Sequence, residues 1–150
     1  MNLKGKFKRF KSTQTKEECK YFPNNKIELL NIIYKRVEED PYCDLNDVWV
    51  GDITDMGFLF EESPFNGDIS RWDVSNVKDM AYMFSTSKFD GDISSWNVSN
   101  VEYMNNMFFH SSFNSDISDW DVSNVRYMSF MFNSSKFNMD ISSWNTRKVE

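Results

Sequence analysis

The sequence predicts an α/β solenoid, in which stacked coils each contain a short strand, a turn and a short helix. Three observations lead to this prediction: a 24-residue repeat, a change of apolar spacing inside each repeat, and an amphipathic helix ahead of the first coil. A fixed period of this length is typical of repeat proteins, in which neighbouring units share one continuous core.

The repeat aligns without gaps over the second half of the chain. Full copies occupy residues 65–88, 89–112 and 113–136, and a partial copy occupies 137–150. Each full copy fits the pattern F-x-x-D-I-S-x-W-x-V-S-N-V-x-x-M-x-x-M-F-x-x-S-x, and thirteen of the 24 positions are identical in all three. A diverged copy begins at Asp44, with Val48 in place of the tryptophan. We therefore assign the solenoid to residues 44–150, about 4.5 copies.

The apolar spacing changes inside each copy. In the first full copy, Ile69, Trp72 and Val74 lie in a β-prone stretch. Ser75 follows at the place of a helix N-cap. The next apolar residues have the spacing of one helix face, which predicts a short helix. They are Val77, Met80, Met83 and Phe84.

An amphipathic helix is predicted over residues 26–39, upstream of the repeats. Asn25 and Glu28 have the spacing of a capping box, and Pro41 follows the end of the helix. We expect this helix to cover the open end of the first coil, as terminal units of repeat proteins require. Residues 21–43 are assigned to this capping region, and residues 1–20 to a basic, mobile segment. The predicted apolar face consists of Ile27, Leu30, Ile33 and Val37.

The charge is distributed unevenly along the chain. Residues 1–26 have a net charge of +6 and the remaining residues one of −12. An acidic body repels nucleic acid and anionic lipid, so neither is expected as its partner. No apolar run is long enough to span a membrane, and no secretory signal or lipid anchor is recognised. With only Cys19 and Cys43 as thiols, a reducing compartment is the simpler assumption, and the sequence predicts a cytoplasmic protein.

The repeats resemble a known family. The segments FNGDISRWDVSNVKDMAYMF, FDGDISSWNVSNVEYMNNMF and FNSDISDWDVSNVRYMSFMF are similar to the BspA-like leucine-rich-repeat family, whose repeat also occurs in mycoplasma-type lipoproteins. The resemblance covers residues 44–150. It implies a right-handed, leucine-rich-repeat-like stack and an adhesion or interaction role, commonly at a bacterial surface. The resemblance also suggests a bacterial or phage origin. The last copy stops at Glu150, where its helix should begin, so an uncapped C-terminal end is expected.

No set of residues indicates an active site. His110 is the only histidine and has no Cys or Asp partner at catalytic or metal-ligand spacing. The aspartates that recur every 24 residues favour structural turns over a calcium site. The tryptophans with the same period favour a core column over a platform for bases or sugars. We therefore expect no enzyme, no metal and no cofactor. The two columns are Asp68, Asp92, Asp116 and Asp140, and Trp72, Trp96, Trp120 and Trp144.

Specificity is expected where the copies differ. If the helical stripe faces the core, the variable aromatic residues point outward from the helices of adjacent coils. Tyrosine and phenylalanine provide large contact area at small cost in side-chain entropy, so they suit a protein-binding surface. The predicted protein-binding residues are Tyr82, Tyr103, Tyr127, Phe130 and Phe109.

Three functions are compatible with these features. The first is a non-enzymatic protein-binding repeat module, which acts through its outer helical face or its uncapped C-terminal end. That end also allows self-association of two copies. The second is a small acidic inhibitor that occupies the basic, nucleic-acid-binding groove of a host defence or CRISPR-type nuclease. The third is a fragment of a bacterial surface adhesin.

Overall fold

The computed structural model describes residues 13–150. It contains a 3₁₀ turn, Lys16–Glu18, and one α-helix, α1, at Lys26–Glu39. Within these residues, β pairing is confined to isolated parallel bridges, most of which join equivalent positions of successive repeats. The repeats therefore lie side by side in register. The bridged pairs are Tyr21–Val48, Asp44–Asp68, Asp55–Asp79, Asp79–Tyr103 and Tyr103–Tyr127.

The predicted α/β solenoid, with its right-handed leucine-rich-repeat-like coils, is wrong, because no repeat in residues 13–150 contains a helix or a β-strand. The predicted short helix at 77–84 is a run of overlapping turns. The N–H of Met83 donates to the carbonyl of Met80, and that of Ser85 to Tyr82. Tyr82 and Thr86 have φ values of 59° and 55°, which a right-handed helix excludes. Ser75 accordingly caps no helix, and its hydroxyl donates to Asp73.

Alternate N–H groups of these turns bond to the next repeat instead of the preceding turn. Four alternate residues of the diverged copy and of each of the first two full repeats donate to carbonyl oxygens 23 positions further along the chain, at 2.7–3.0 Å. We call this array the turn ladder. It replaces the local bonds of a helix with bonds between repeats, so no repeat is complete without a neighbour. In the first full repeat the donors are Met80, Tyr82, Phe84 and Thr86, and the acceptors are Tyr103, Asn105, Met107 and Phe109.

The tryptophans form one column, and the predicted core position is confirmed for the first three of them, whereas Trp144 is half-buried. Trp72, Trp96 and Trp120 are 2–4% exposed. Successive rings are nearly parallel, with centroids 6.4 Å apart for Trp72–Trp96. Each indole N–H donates to a carbonyl oxygen of the preceding repeat at 2.9–3.1 Å, so the ring's polar atom is satisfied in the core.

Two columns of phenylalanine complete the core beside the tryptophans. Phe84 stacks on Phe60 at 5.4 Å and on Phe108 at 5.7 Å, while it also contacts Phe89 at 4.5 Å. The diverged first copy shares this core, since Leu45 and Val48 are fully buried. The columns consist of Phe60, Phe84, Phe108 and Phe132, and of Phe65, Phe89, Phe113 and Phe137.

Polar side chains make hydrogen bonds to the backbone of the turns. Asp92 accepts from the N–H of Ser94, two residues on, at 3.0 Å, and Asp68, Asp116 and Asp140 make the equivalent bond. These bonds confirm the structural role predicted for the aspartate column.

The asparagines that recur every 24 residues form a second array of hydrogen bonds between repeats. Each donates from its side chain to a backbone carbonyl 25 residues earlier, at 2.7 Å. The asparagines are Asn76, Asn100 and Asn124.

Helix α1 lies against the first repeat, and its predicted bounds and capping residue are confirmed. The Asn25 side chain accepts from the N–H of Glu28 at 3.0 Å. Arg36 pairs with Asp47 at 3.1 Å and donates to the carbonyl of Asp44. The buried face differs from the predicted one, since Ile27 is 71% exposed. The buried residues are Leu29, Ile33 and Val37.

The N-terminal segment is docked from Gln14 onward, although mobility was predicted to residue 20. The Gln14 side chain is 3% exposed and bonds to the backbone of Asn46, Val48 and Val50 at 3.0–3.1 Å. Its own N–H donates to Arg71 at 2.7 Å. The prediction for residues 1–12 lies outside the described residues.

Candidate protein-binding surface

Two columns of the turns, whose residues are exposed or half-buried, carry aromatic residues that vary between repeats. The first column contains Asp55, Asp79, Tyr103 and Tyr127, which are joined by the parallel bridges. The second lies three positions later in each repeat, where φ is positive in every copy. It contains Phe58, Tyr82, Asn106 and Phe130. Six of these eight residues take part in the turn ladder through their backbone, so the ladder supports most of both columns.

One aromatic pair lies at the α1 end of this surface. The rings of Phe58 and Tyr82 stack face to face, with centroids 4.7 Å apart and planes 6° from parallel. The ammonium of Lys26, in the first turn of α1, lies 5.8 Å from the centroid of Phe58 and pairs with Asp55 at 2.9 Å. A cation over an aromatic face is attractive, so Lys26 bounds the pair on one side.

A second pair lies two repeats further along. Tyr103 and Tyr127 stack with centroids 5.1 Å apart. The guanidinium of Arg126 lies 5.8 Å from the centroid of Tyr127, and its Nε donates to Glu150 at 3.0 Å. This hydrogen bond raises the pKa of Arg126 and lowers the pKa of Glu150, because each charge favours the other. Both pairs therefore have the same arrangement, in which two rings stack on each other and a cation lies over one of them.

The structure places the five predicted binding residues in different settings. Tyr82, Tyr103 and Tyr127 belong to the stacked pairs. Phe130 shares the column of Tyr82 and is 64% exposed. Phe109 is half-buried and packs edge-on against His110 at 4.3 Å, so it is not brought into ring contact with the other four. The predicted outer helical face does not exist, because these residues lie on turns.

Phe58 was not predicted and extends the surface toward α1. It is 49% exposed and stacks on Tyr82. Its position was visible in the sequence, since Phe58 stands 24 residues before Tyr82 in the diverged first copy. We refer to the resulting set as the aromatic stripe. It consists of Phe58, Tyr82, Tyr103, Tyr127 and Phe130.

A charged groove runs beside the tyrosine pair. It encloses about 300 Å³ and combines carboxylate, ammonium, guanidinium and amide groups. Two of its lining residues are joined, since Lys148 donates to the Asn124 side chain at 2.6 Å. The groove supplies polar groups at the rim of the aromatic stripe, as protein-binding surfaces commonly have. Its lining residues are Lys78, Asn100, Glu102, Asn124, Arg126 and Lys148.

His110 and possible metal ligands were the other candidates for a functional site. His110 is exposed, and its N–H donates to the carbonyl of Asn133. Within residues 13–150, no three His, Cys, Asp or Glu side chains are grouped as metal ligands would be. No helix of this part of the chain has the length and apolar character needed to cross a bilayer.

Comparison with known proteins identifies a family. The family model described as "Mycoplasma protein of unknown function, DUF285" matches residues 30–112 and 109–150. The match agrees with the mycoplasma repeat lipoprotein group to which the sequence resemblance pointed. No curated protein and no solved structure matches the chain.

Proposed function

The chain belongs to the Mycoplasma family DUF285, and we propose that it is a non-enzymatic module that binds another protein through the aromatic stripe. The observation that carries this proposal is the pair of face-to-face ring stacks on the exposed side of the turns. The resemblance of the repeats to the BspA-like family, which implies an interaction role, supports the same proposal.

Pre-organisation supports a binding role for the stripe. Binding normally costs the entropy of side chains that become ordered at the interface. The stacked rings of Tyr82 and Tyr103 are already held by Phe58 and Tyr127, on a backbone fixed by the turn ladder. Such side chains lose little further freedom when a partner covers them. Aromatic residues of this kind are frequent among the residues that dominate binding energy.

The acidic-inhibitor alternative receives less support from the side chains. Several carboxylates of the acidic body accept hydrogen bonds from the backbone of their own turns, including Asp73, Asp92 and Asp140. Their negative charge nevertheless remains on the surface, so salt dependence of binding separates the two functions. The cytoplasmic location stays a prediction, which fractionation of the source cell would test.

The proposal is tested by affinity capture from the source cell with three forms of the chain. The aromatic variant is Tyr82→Asn/Tyr103→Ala, in which Asn is the residue found in the same column at Asn106. The control, Tyr34→Ala/Tyr42→Ala, removes two tyrosines of α1 and the following turn that are 61% and 72% exposed. We expect one protein to be retained by the wild type and by the control and lost by the aromatic variant. A partner retained equally by all three forms would contradict the proposal.

A further inference from the structure

The side-chain amide of Gln14 is bound by three backbone groups of the diverged first copy. Its Nε2 donates to the carbonyls of Asn46 and Val48, both at 3.0 Å, and its Oε1 accepts from the N–H of Val50 at 3.1 Å. Two carbonyls and one N–H are the complement of a carboxamide, which has two donors and an acceptor. We call such a set of three backbone groups an amide site.

The same three groups recur in the second full repeat. They are the carbonyls of Ser94 and Trp96 and the N–H of Val98, two repeats beyond the equivalent groups of the first copy. Among residues 13–150, none of the three has a hydrogen-bond partner. Trp96 and Val98 are 4% and 1% exposed, so water has little access to them. Because buried backbone groups are nearly always paired, this amide site indicates a ligand with a matching polar group.

A difference between the repeats explains why this amide site is complete. In the first and third full repeats, a serine hydroxyl donates to the carbonyl that corresponds to that of Ser94. The donors are Ser95, to Ser70 at 3.2 Å, and Ser143, to Ser118 at 2.9 Å. Asp119 has the equivalent position beside Ser94, and a carboxylate accepts hydrogen bonds but does not donate them. The second repeat therefore keeps all three groups for another molecule.

We propose that the amide site of Ser94, Trp96 and Val98 binds the side chain of a glutamine on an extended segment of another protein. Gln14 defines this occupant, because its carboxamide is bound by the equivalent groups of the same chain. The backbone next to Gln14 is extended, with φ −110° and ψ 154° at Thr15. The proposal concerns a surface separate from the aromatic stripe, so it does not depend on the proposed function.

The charge around the amide site favours a basic residue near the glutamine of the partner. Two residues after Gln14, the ammonium of Lys16 lies 5.8 Å from the centroid of the Trp49 ring. In the repeats, the position of Trp49 is occupied by Asp73, Asn97 and Asp121. A lysine at the same spacing from the bound glutamine would meet Asn97, with a carboxylate in the repeat on either side. The segment therefore has the pattern Gln-x-Lys.

The probe is the capped peptide Thr-Gln-Thr-Lys, the sequence of residues 13–16, added to the 150-residue chain. Amide resonances and their hydrogen exchange are followed by NMR, since exchange reports whether an N–H is hydrogen-bonded. We expect the Val98 resonance to shift and its amide to exchange at least about tenfold more slowly at saturation. The control peptide Thr-Glu-Thr-Lys should have neither effect, because a carboxylate cannot donate to the two carbonyls.

Two variants of the chain complete the test. Gln14→Ala removes the bound carboxamide of the first copy, so the peptide should then shift the Val50 resonance as well as that of Val98. Asp119→Ser introduces a hydroxyl that can donate to Ser94, so it should weaken binding at Val98 by about fivefold, the value of one hydrogen bond. A Val98 amide that stays unchanged while Val50 responds, or that responds equally to the glutamate peptide, would overturn the proposal.

Discussion

The indole N–H of Trp96 donates to the carbonyl oxygen of Ile69, 3.1 Å away in the preceding repeat. The same bond joins Trp72 to Leu45 and Trp120 to Ile93. Each tryptophan therefore fills the core of its own repeat and satisfies a backbone group of its neighbour. Because repeat proteins gain stability from such interfaces, the column links the stability of each repeat to the next.

Truncation of Trp96 tests this linkage. Trp96→Ala should lower the free energy of unfolding by about 3–5 kcal/mol, the usual cost of emptying a core aromatic site. Trp96→Phe retains much of the apolar contact but loses the donor, so it should cost less. Denaturant unfolding measures both. A loss below about 1 kcal/mol for the alanine variant would show that the column is not part of the core.

The positive φ angle of Thr86 predicts a stabilising substitution. A β-branched residue at φ 55° is strained, whereas asparagine tolerates this region. Thr86 is exposed, so Thr86→Asn should raise stability by about 0.5–1 kcal/mol through relief of backbone strain. Lys88→Asn, at an exposed neighbour without positive φ, is the control and should be neutral or destabilising. Equal effects of the two substitutions would contradict the strain argument.

The sequence predicted the parts of the fold that depend on local or periodic signals. Asn25 and the apolar spacing were sufficient for α1, and the constant 24-residue period placed Trp72 and Trp96 in one column. The repeat conformation could not be predicted in this way. The spacing from Val77 to Phe84 fits a helix, but the N–H groups of Met80, Tyr82 and Phe84 bond to carbonyls 23 residues ahead.

Backbone conformation and register explain the rest of the difference between the predicted and the observed repeat. Turns with positive φ are usually marked by glycine or asparagine, but Tyr82 and Thr86 occupy these positions here. The inter-repeat bonds outweigh the local preference of these residues for negative φ. The aromatic stripe was predicted in part, because variability marked Tyr82 and Tyr103, while divergence of the first copy concealed Phe58.

Stability should decrease in acid. Backbone and side-chain N–H groups lower the pKa values of several carboxyls, chiefly the Ser142 amide for Asp140 and Arg126 for Glu150. The folded state then binds fewer protons than the unfolded state, so stability is lost as the pH falls below the ordinary pKa values, 4.5 for Glu and 3.8 for Asp. Glu61, whose pKa is raised by burial, has the opposite effect.

Thermal melting between pH 7 and pH 3 measures this dependence. Asp121→Asn/Asp140→Asn should flatten it, since the amide oxygen still accepts from the turn but does not titrate. Asp121 accepts a hydrogen bond from the N–H of Ser123, and Ser123 lowers the pKa of this carboxyl. In the preceding repeat, Asn97 already accepts the equivalent bond from the N–H of Ser99. A melting temperature that rises steadily toward pH 3 would contradict the predicted sign.

Aspartates of the repeats can be replaced by asparagine without loss of the hydrogen bonds that they accept from the backbone. Such a charge variant provides a second comparison for the binding test. The charge variant is Asp73→Asn/Asp90→Asn/Asp121→Asn. Asn97 and Asn114 occupy the same columns in neighbouring repeats, and their side-chain oxygens accept equivalent backbone bonds. The variant removes three negative charges and leaves the aromatic stripe intact, so its effect reports electrostatic attraction to the partner.

The most direct test of the proposed function is the dissociation constant of the captured partner, measured by calorimetry at low and high salt for the wild type and both variants. We expect Tyr82→Asn/Tyr103→Ala to weaken binding by about 30-fold, corresponding to about 2 kcal/mol, with little salt dependence in the wild type. The charge variant should bind within about threefold of the wild type. Steep loss of wild-type affinity with salt, and a larger effect of the charge variant than of the aromatic variant, would contradict the account.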